Sequence, residues 1–116
     1  MPEQMSTILC VGDLDTWKDV LRDAETGGAP LFVSFSEVTV DLLDRVRPST
    51  IMSPLLAHDF DSTDLAERLQ DFGFGGRYVA VAVGVPLPQI IEREVRMAAP
   101  LVDFDLITLR DVSKLN

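Results

Sequence analysis

The sequence predicts a single α/β domain built on a mostly parallel sheet with helices on both faces. Two observations carry that prediction. Apolar runs of strand length alternate with longer segments whose apolar residues recur every three or four positions. The runs "TILCV" and "RYVAVAVG" are apolar almost throughout, as strands buried on both faces are. Strands separated by helical segments connect by crossovers and lie parallel. The 116 residues suffice for one domain and not for two, and they contain no internal repeat, low-complexity tract or linker.

The elements follow in order. Thr7 to Val11 form the first strand, and "GDLD" turns the chain, with Asp13 or Asp15 as cap of the next helix. That helix buries Trp17, Val20, Leu21 and Ala24, which recur at helical spacing, and "TGGAP" ends it. Leu31 to Phe35 is the second strand. Ser36 is placed to cap a second helix that buries Val38, Leu42, Leu43 and Val46, and Pro48 marks its end. The third strand, in "TIMSPLLA", is expected to stop near Ser53, because Pro54 has no N–H to give a ladder.

Asp61 or Ser62 caps a third helix with the stripe Leu65, Ala66, Leu69 and Phe72, and Gly73 suits its C-terminal cap. The fourth strand is "RYVAVAVG". Pro88 fits the first turn of a fourth helix, which turns Ile91, Val95 and Ala98 to the core before Pro100. Val102 to Leu109 is the fifth strand. Asp103 and Asp105 alternate with apolar residues in its first half, which places it at an edge with one wet side. The remaining "RDVSKLN" is too short and polar for a substantial fifth helix.

This pattern resembles the receiver domain of bacterial response regulators, with the closest likeness over residues 47 to 74. "RPSTIMS" looks like the third strand of that family, and Asp61, Leu65, Leu69 and Gly73–Phe74 fall where receivers carry similar residues. "ILCVGDLD" looks like the first strand and its acidic loop. The resemblance implies a three-layer, flavodoxin-like (βα)5 fold over residues 1–116, with strand order 2-1-3-4-5 and the fifth helix short or missing.

The resemblance also locates the chemistry that receivers perform. They use two acids after the first strand for Mg²⁺, an aspartate after the third strand as phosphoacceptor, a hydroxyl after the fourth strand and a lysine after the fifth. Metal and lysine neutralise charge on the transferring phosphoryl oxygens. At the matching positions this chain has Gly12 and Asp13 for the acid pair and Pro54 for the acceptor. Ala82 or Val83 stands for the hydroxyl, and Leu106 to Thr108 hold no lysine. Pro54 offers no nucleophilic atom. Ser53 is adjacent, but a one-residue shift along a strand turns a side chain to the opposite face. The chain is therefore expected to be no enzyme, a degenerate receiver that keeps the shape as a protein-interaction or regulatory module without cofactor.

An alternative reading is a flavodoxin-like small-molecule or metal-binding protein. Asp13, Asp15, Asp59 and Asp61 follow the first and third strands, where open α/β sheets bind ligands, and acids there suit a hard cation. Helix capping by Asp15 and Asp61 with solvated neighbours accounts for the same residues. His58, the sole histidine, has Asp59 beside it but no nucleophile at a telling spacing, and is read as an exposed loop residue. Cys10, in an apolar strand, is read as an inert core thiol. Gly73, Gly75 and Gly76 precede a strand, whereas phosphate-binding turns follow one and open a helix.

A formal net charge of −9 argues against direct contact with nucleic acid or an anionic membrane and favours a protein partner with a basic surface. No apolar run reaches the length of a membrane span, residues 1 to 5 do not read as a signal peptide, and a single cysteine fits a reducing cytoplasm. Without a fifth helix, Leu106, Ile107 and Leu109 are expected to leave an apolar patch that joins two copies in a homodimer.

Overall fold

In the computed structural model, strands form at Ile8–Val11 (β1), Leu31–Val33 (β2), Thr50–Pro54 (β3), Arg77–Val83 (β4) and Asp103–Leu109 (β5). Helices form at Val40–Val46 (α1), Ser62–Asp71 (α2) and Pro88–Ala98 (α3). The structure describes residues 7–12, 17, 30–57, 60–83 and 86–109. The strands pair in parallel in the order β2-β1-β3-β4-β5, the flavodoxin-like order. Of the first predicted helix only Trp17 is described, and the "RDVSKLN" tail lies outside the described residues. No helix among the described residues is long and apolar enough to cross a membrane.

Strand register sorts the side chains into two cores. Leu9, Ile51, Tyr78 and Phe104 lie side by side across the sheet. Residues in step with them face α1, α2 and α3, so Val11, Ala80 and Ala82 join Leu43, Leu65, Leu69 and Val95 in the larger core. The alternate residues face the other way, where Cys10 and Val81 pack with Trp17.

The first two helices begin where a side chain can take an orphan amide. Thr39 caps α1 by accepting from the Leu42 amide at 3.1 Å. Asp61 caps α2 by accepting from the Asp64 amide at 2.9 Å, and the Asp64 carboxylate accepts from the Asp61 amide at 3.2 Å. Pro88 opens α3 as expected.

Three boundaries differ from expectation. β2 ends at Val33, not Phe35, and residues 35–37 form a 3₁₀ turn. The Glu37 carboxylate accepts from the Ser34 amide at 2.7 Å, and Ser34 holds that carboxyl below its usual range. The Phe35 ring meanwhile leaves the sheet to stack on Phe60, with centroids 4.8 Å apart. That turn uses up Ser36, so Thr39 and not Ser36 caps the helix.

The third difference is that β3 runs through Pro54. The Leu55 amide donates across to the Val81 carbonyl at 2.9 Å. Strand alternation then aims the Pro54 nitrogen at the β1 side, beyond the last β1–β3 register pair, Cys10 and Met52. The carbonyl that an N–H at position 54 would face on β1, that of Val11, accepts from the Trp17 indole Nε1 instead, at 3.2 Å. A proline at this spot forfeits no ladder bond.

Leu69→Ala is expected to destabilise the fold by about 2–5 kcal/mol, because it opens a cavity in the larger core. Asp61→Ala should cost about 1 kcal/mol through the lost cap. Urea unfolding followed by circular dichroism measures both.

Candidate functional site

Between β1 and β3 the order of connection reverses, and open α/β sheets bind ligands at the carboxyl ends of the strands beside such a reversal. Three side-chain positions meet there. Gly12 follows β1 with φ +134°, Pro54 ends β3, and Trp17 is completely buried beside them. The indole Nε1 donates to the Val11 carbonyl at 3.2 Å, which fixes the ring. A Cβ at position 12 would stand 3.2 Å from Pro54 Cδ and 3.3 Å from Trp17 Nε1. Only glycine accepts both the backbone angle and the approach of the pyrrolidine ring. An acid at position 12 would be crowded by the pyrrolidine ring and the indole edge.

On the other face of β3 the polar groups satisfy one another. Ser53 is fully buried, and its hydroxyl donates to the Pro54 carbonyl at 2.9 Å. The Tyr78 hydroxyl lies 2.6 Å from Ser53 Oγ and, with the Ser53 proton spent on the carbonyl, is the donor of that bond. The buried Ser62 hydroxyl donates to the Leu55 carbonyl at 2.7 Å. Burial drives the Tyr78 phenol far above its usual range, against the opposing pull of the Ser53 and Ser62 hydroxyls. Ser53 thus lies on the face opposite Pro54, as strand alternation requires, and its oxygen is occupied.

Together these bonds close the neck of the β3–α2 connection. The Ser62 amide also donates to the Leu55 carbonyl at 3.2 Å, and the Ala57 amide donates to the Phe60 carbonyl at 3.0 Å. Arg68 completes the clamp. Its guanidinium sits 4.0 Å above the Phe35 ring and donates to the Phe35 carbonyl at 3.0 Å. The β2–α1 and β3–α2 connections are therefore tied to each other and to α2.

The remaining sequence candidates scatter. Asp13, Asp15, His58 and Asp59 lie outside the described residues. Asp61 is engaged as the cap of α2. Among the described residues, no three His, Cys, Asp or Glu side chains gather as a metal site. Cys10 is buried, and burial pushes its thiol up to about 11, so it holds its proton at neutral pH.

Ala82 is buried in the larger core. The apolar patch expected at β5 divides between the two faces of the sheet. Leu106 packs against the larger core, while Ile107 is 43% exposed on the opposite side. The Leu109 side chain lies outside the described residues. On the Ile107 face Asp105 forms an ion pair with Arg77 of β4.

At the other end of the sheet a shallow cleft of about 180 Å³ separates α1 from the α2–β4 connection, lined by Val40, Leu43, Asp44, Phe72 and Phe74. Asp44 is its one charged group. The sequence pattern assigns no role at this site to Tyr78, Ser62, Phe35 or Arg68. The available signal was a lone phenol in an apolar strand, because a buried Tyr hydroxyl needs a partner.

No family model matches the chain, and no curated protein matches it either.

Two buried acids with raised pKa fix the sign of a pH effect. The unfolded chain releases the Cys10 proton near its ordinary value of 9.0, while the folded chain keeps it to about 11. Tyr78 behaves likewise from its ordinary value of 10.0 upward. In that window the unfolded state binds fewer protons, so stability is full below about pH 9 and falls as pH rises. Unfolding free energies measured from pH 8 to 11 should show this decline, and Cys10→Ala should flatten its first part. A flat parent profile would contradict the burial of both groups.

Proposed function

We propose that the chain is a degenerate, receiver-like interaction module that works without phosphoryl chemistry. One observation carries this reading: the crevice at the β1–β3 reversal is packed with the Pro54 ring, the Gly12 backbone and the Trp17 indole. A phosphoryl-transfer site there needs a nucleophile, carboxylates for a metal and a cation for the developing charge. Gly12 and Pro54 supply none of these, and a side chain at position 12 would be strained by the backbone angle and crowded by Pro54 and Trp17. What remains is a rigid scaffold whose connections at the carboxyl end are clamped by the Phe60–Phe35–Arg68 stack.

A protein whose surface is the working part makes its specificity from charge and exposed apolar side chains. The charge of −9 suits a partner with a basic surface. We place its work in cytoplasmic signalling, following the receiver resemblance. The metal- or small-molecule-binding alternative draws less support, because Asp61 is spent on the α2 cap.

Incubation with acetyl phosphate and Mg²⁺, followed by intact-mass measurement, tests the reading. The mass should not change. Pro54→Asp should also stay unmodified, since it restores a carboxylate without the second acid or the lysine. A phosphoryl adduct on the parent chain would sink the proposal.

A further inference from the structure

Helix α3 carries an apolar stripe that no described element covers. Ile90 is 56% exposed and Met97 76%, and they lie two turns apart on one face. Leu87 before the helix and Leu101 after it are also exposed, at 64% and 83%. Between Ile90 and Met97 stand Arg93 and Glu94, both exposed, and neither takes part in an ion pair among the described residues. The neighbouring charges are engaged elsewhere. Glu92 accepts from Arg96 at 2.9 Å, and the Arg96 guanidinium lies over the Phe104 ring.

The stripe is self-complementary: its apolar positions read the same in both directions and its charges invert. From the midpoint between Arg93 and Glu94, the first step outward meets a charge of opposite sign on each side. The next step on the stripe meets an apolar side chain on each side, Ile90 or Met97. Laid antiparallel on its own copy about a two-fold axis at that midpoint, Ile90 meets Met97 of the second copy and Arg93 meets Glu94. Two apolar contacts then enclose two opposite-charge pairs. An axis shifted to Glu94 would instead set Glu94 against itself.

We infer that the exposed face of α3 is a self-association surface, and that its occupant is a second copy of this chain joined by an antiparallel, two-fold helix contact. A closed pair is the natural outcome of a self-complementary patch. A stable interface commonly takes about 20–30 residues a side. This stripe is smaller, so the dimer is weak and depends on concentration, and the repulsion of two chains at −9 weakens it further. The inference rests on the reading of the chain as an interaction module, but its test measures association alone. The phosphoryl-donor experiment fails or succeeds independently of it.

Charge reversal provides the test. The intact chain should show a monomer–dimer equilibrium by sedimentation at high micromolar concentration in moderate salt. Arg93→Glu and Glu94→Arg, each alone, should weaken association at least about tenfold, because each puts like charges face to face. Mixing the two variants should restore it, since every pair in the mixed dimer is again of opposite sign. Both positions are exposed, and circular dichroism verifies that each variant is folded. A chain that stays monomeric at high micromolar concentration overturns the inference. So do single variants that associate like the parent, or a mixture that fails to recover.

Discussion

The contact between the Pro54 ring, the Gly12 backbone and the Trp17 indole is the constraint around which the rest of the structure is arranged. It sits at the β1–β3 reversal, where a fold of this topology ordinarily keeps an open crevice. The close approach explains why position 12 is a glycine at φ +134°. The alternation of β3 explains how proline ends a central strand without cost, since the β1 carbonyl its missing N–H would face, that of Val11, accepts from the Trp17 indole instead. Trp17, held by its bond to the Val11 carbonyl, closes the site from above with its whole side chain buried. Each residue makes sense of the other two. Chemistry at this spot would need all three to change.

The opposite face of β3 shows how the same strand end is made rigid. The Ser53 hydroxyl bonds the carbonyl of Pro54 and accepts from Tyr78, while Ser62 holds the Leu55 carbonyl. Buried hydroxyls of this kind are costly when unmet and useful when met, because they admit one arrangement of the backbone. No buried side-chain polar atom among the described residues lacks a partner. The aromatic stack of Phe35 on Phe60 with Arg68 above then ties the neighbouring connection to the same helix. Connections held in this way suit a surface that presents a fixed shape to another protein.

Much of this was legible in the sequence, and the reasons are local. An apolar fourth strand, a proline at a helix start and an acid at a helix cap are each settled by neighbours in the chain, so the strands and most helices follow from pattern, while the strand order is what the receiver resemblance implies. β2 is shorter than its apolar run because Phe35 looks like a strand residue until Phe60, far along the chain, takes its ring. The bond between Tyr78 and Ser53 is hidden for the same reason, since the two residues lie far apart in the chain. The patch at Leu106 and Ile107 is a different error. The strand period of two places them on opposite faces, and that period was available in the sequence. Gly12 and Pro54 were each read as replacements. Their contact with each other and with Trp17 appears only when the two strands lie side by side.

The single tryptophan offers a direct measurement of that contact. Acrylamide quenching of Trp17 fluorescence, with and without Mg²⁺ and acetyl phosphate, reports whether the crevice is filled or open. The account predicts blue-shifted emission, strong protection from quenching until the protein unfolds, and no response to either solute. Red-shifted emission that acrylamide quenches readily in the folded protein would contradict it, because an indole open to solvent cannot be packed against Gly12 and Pro54.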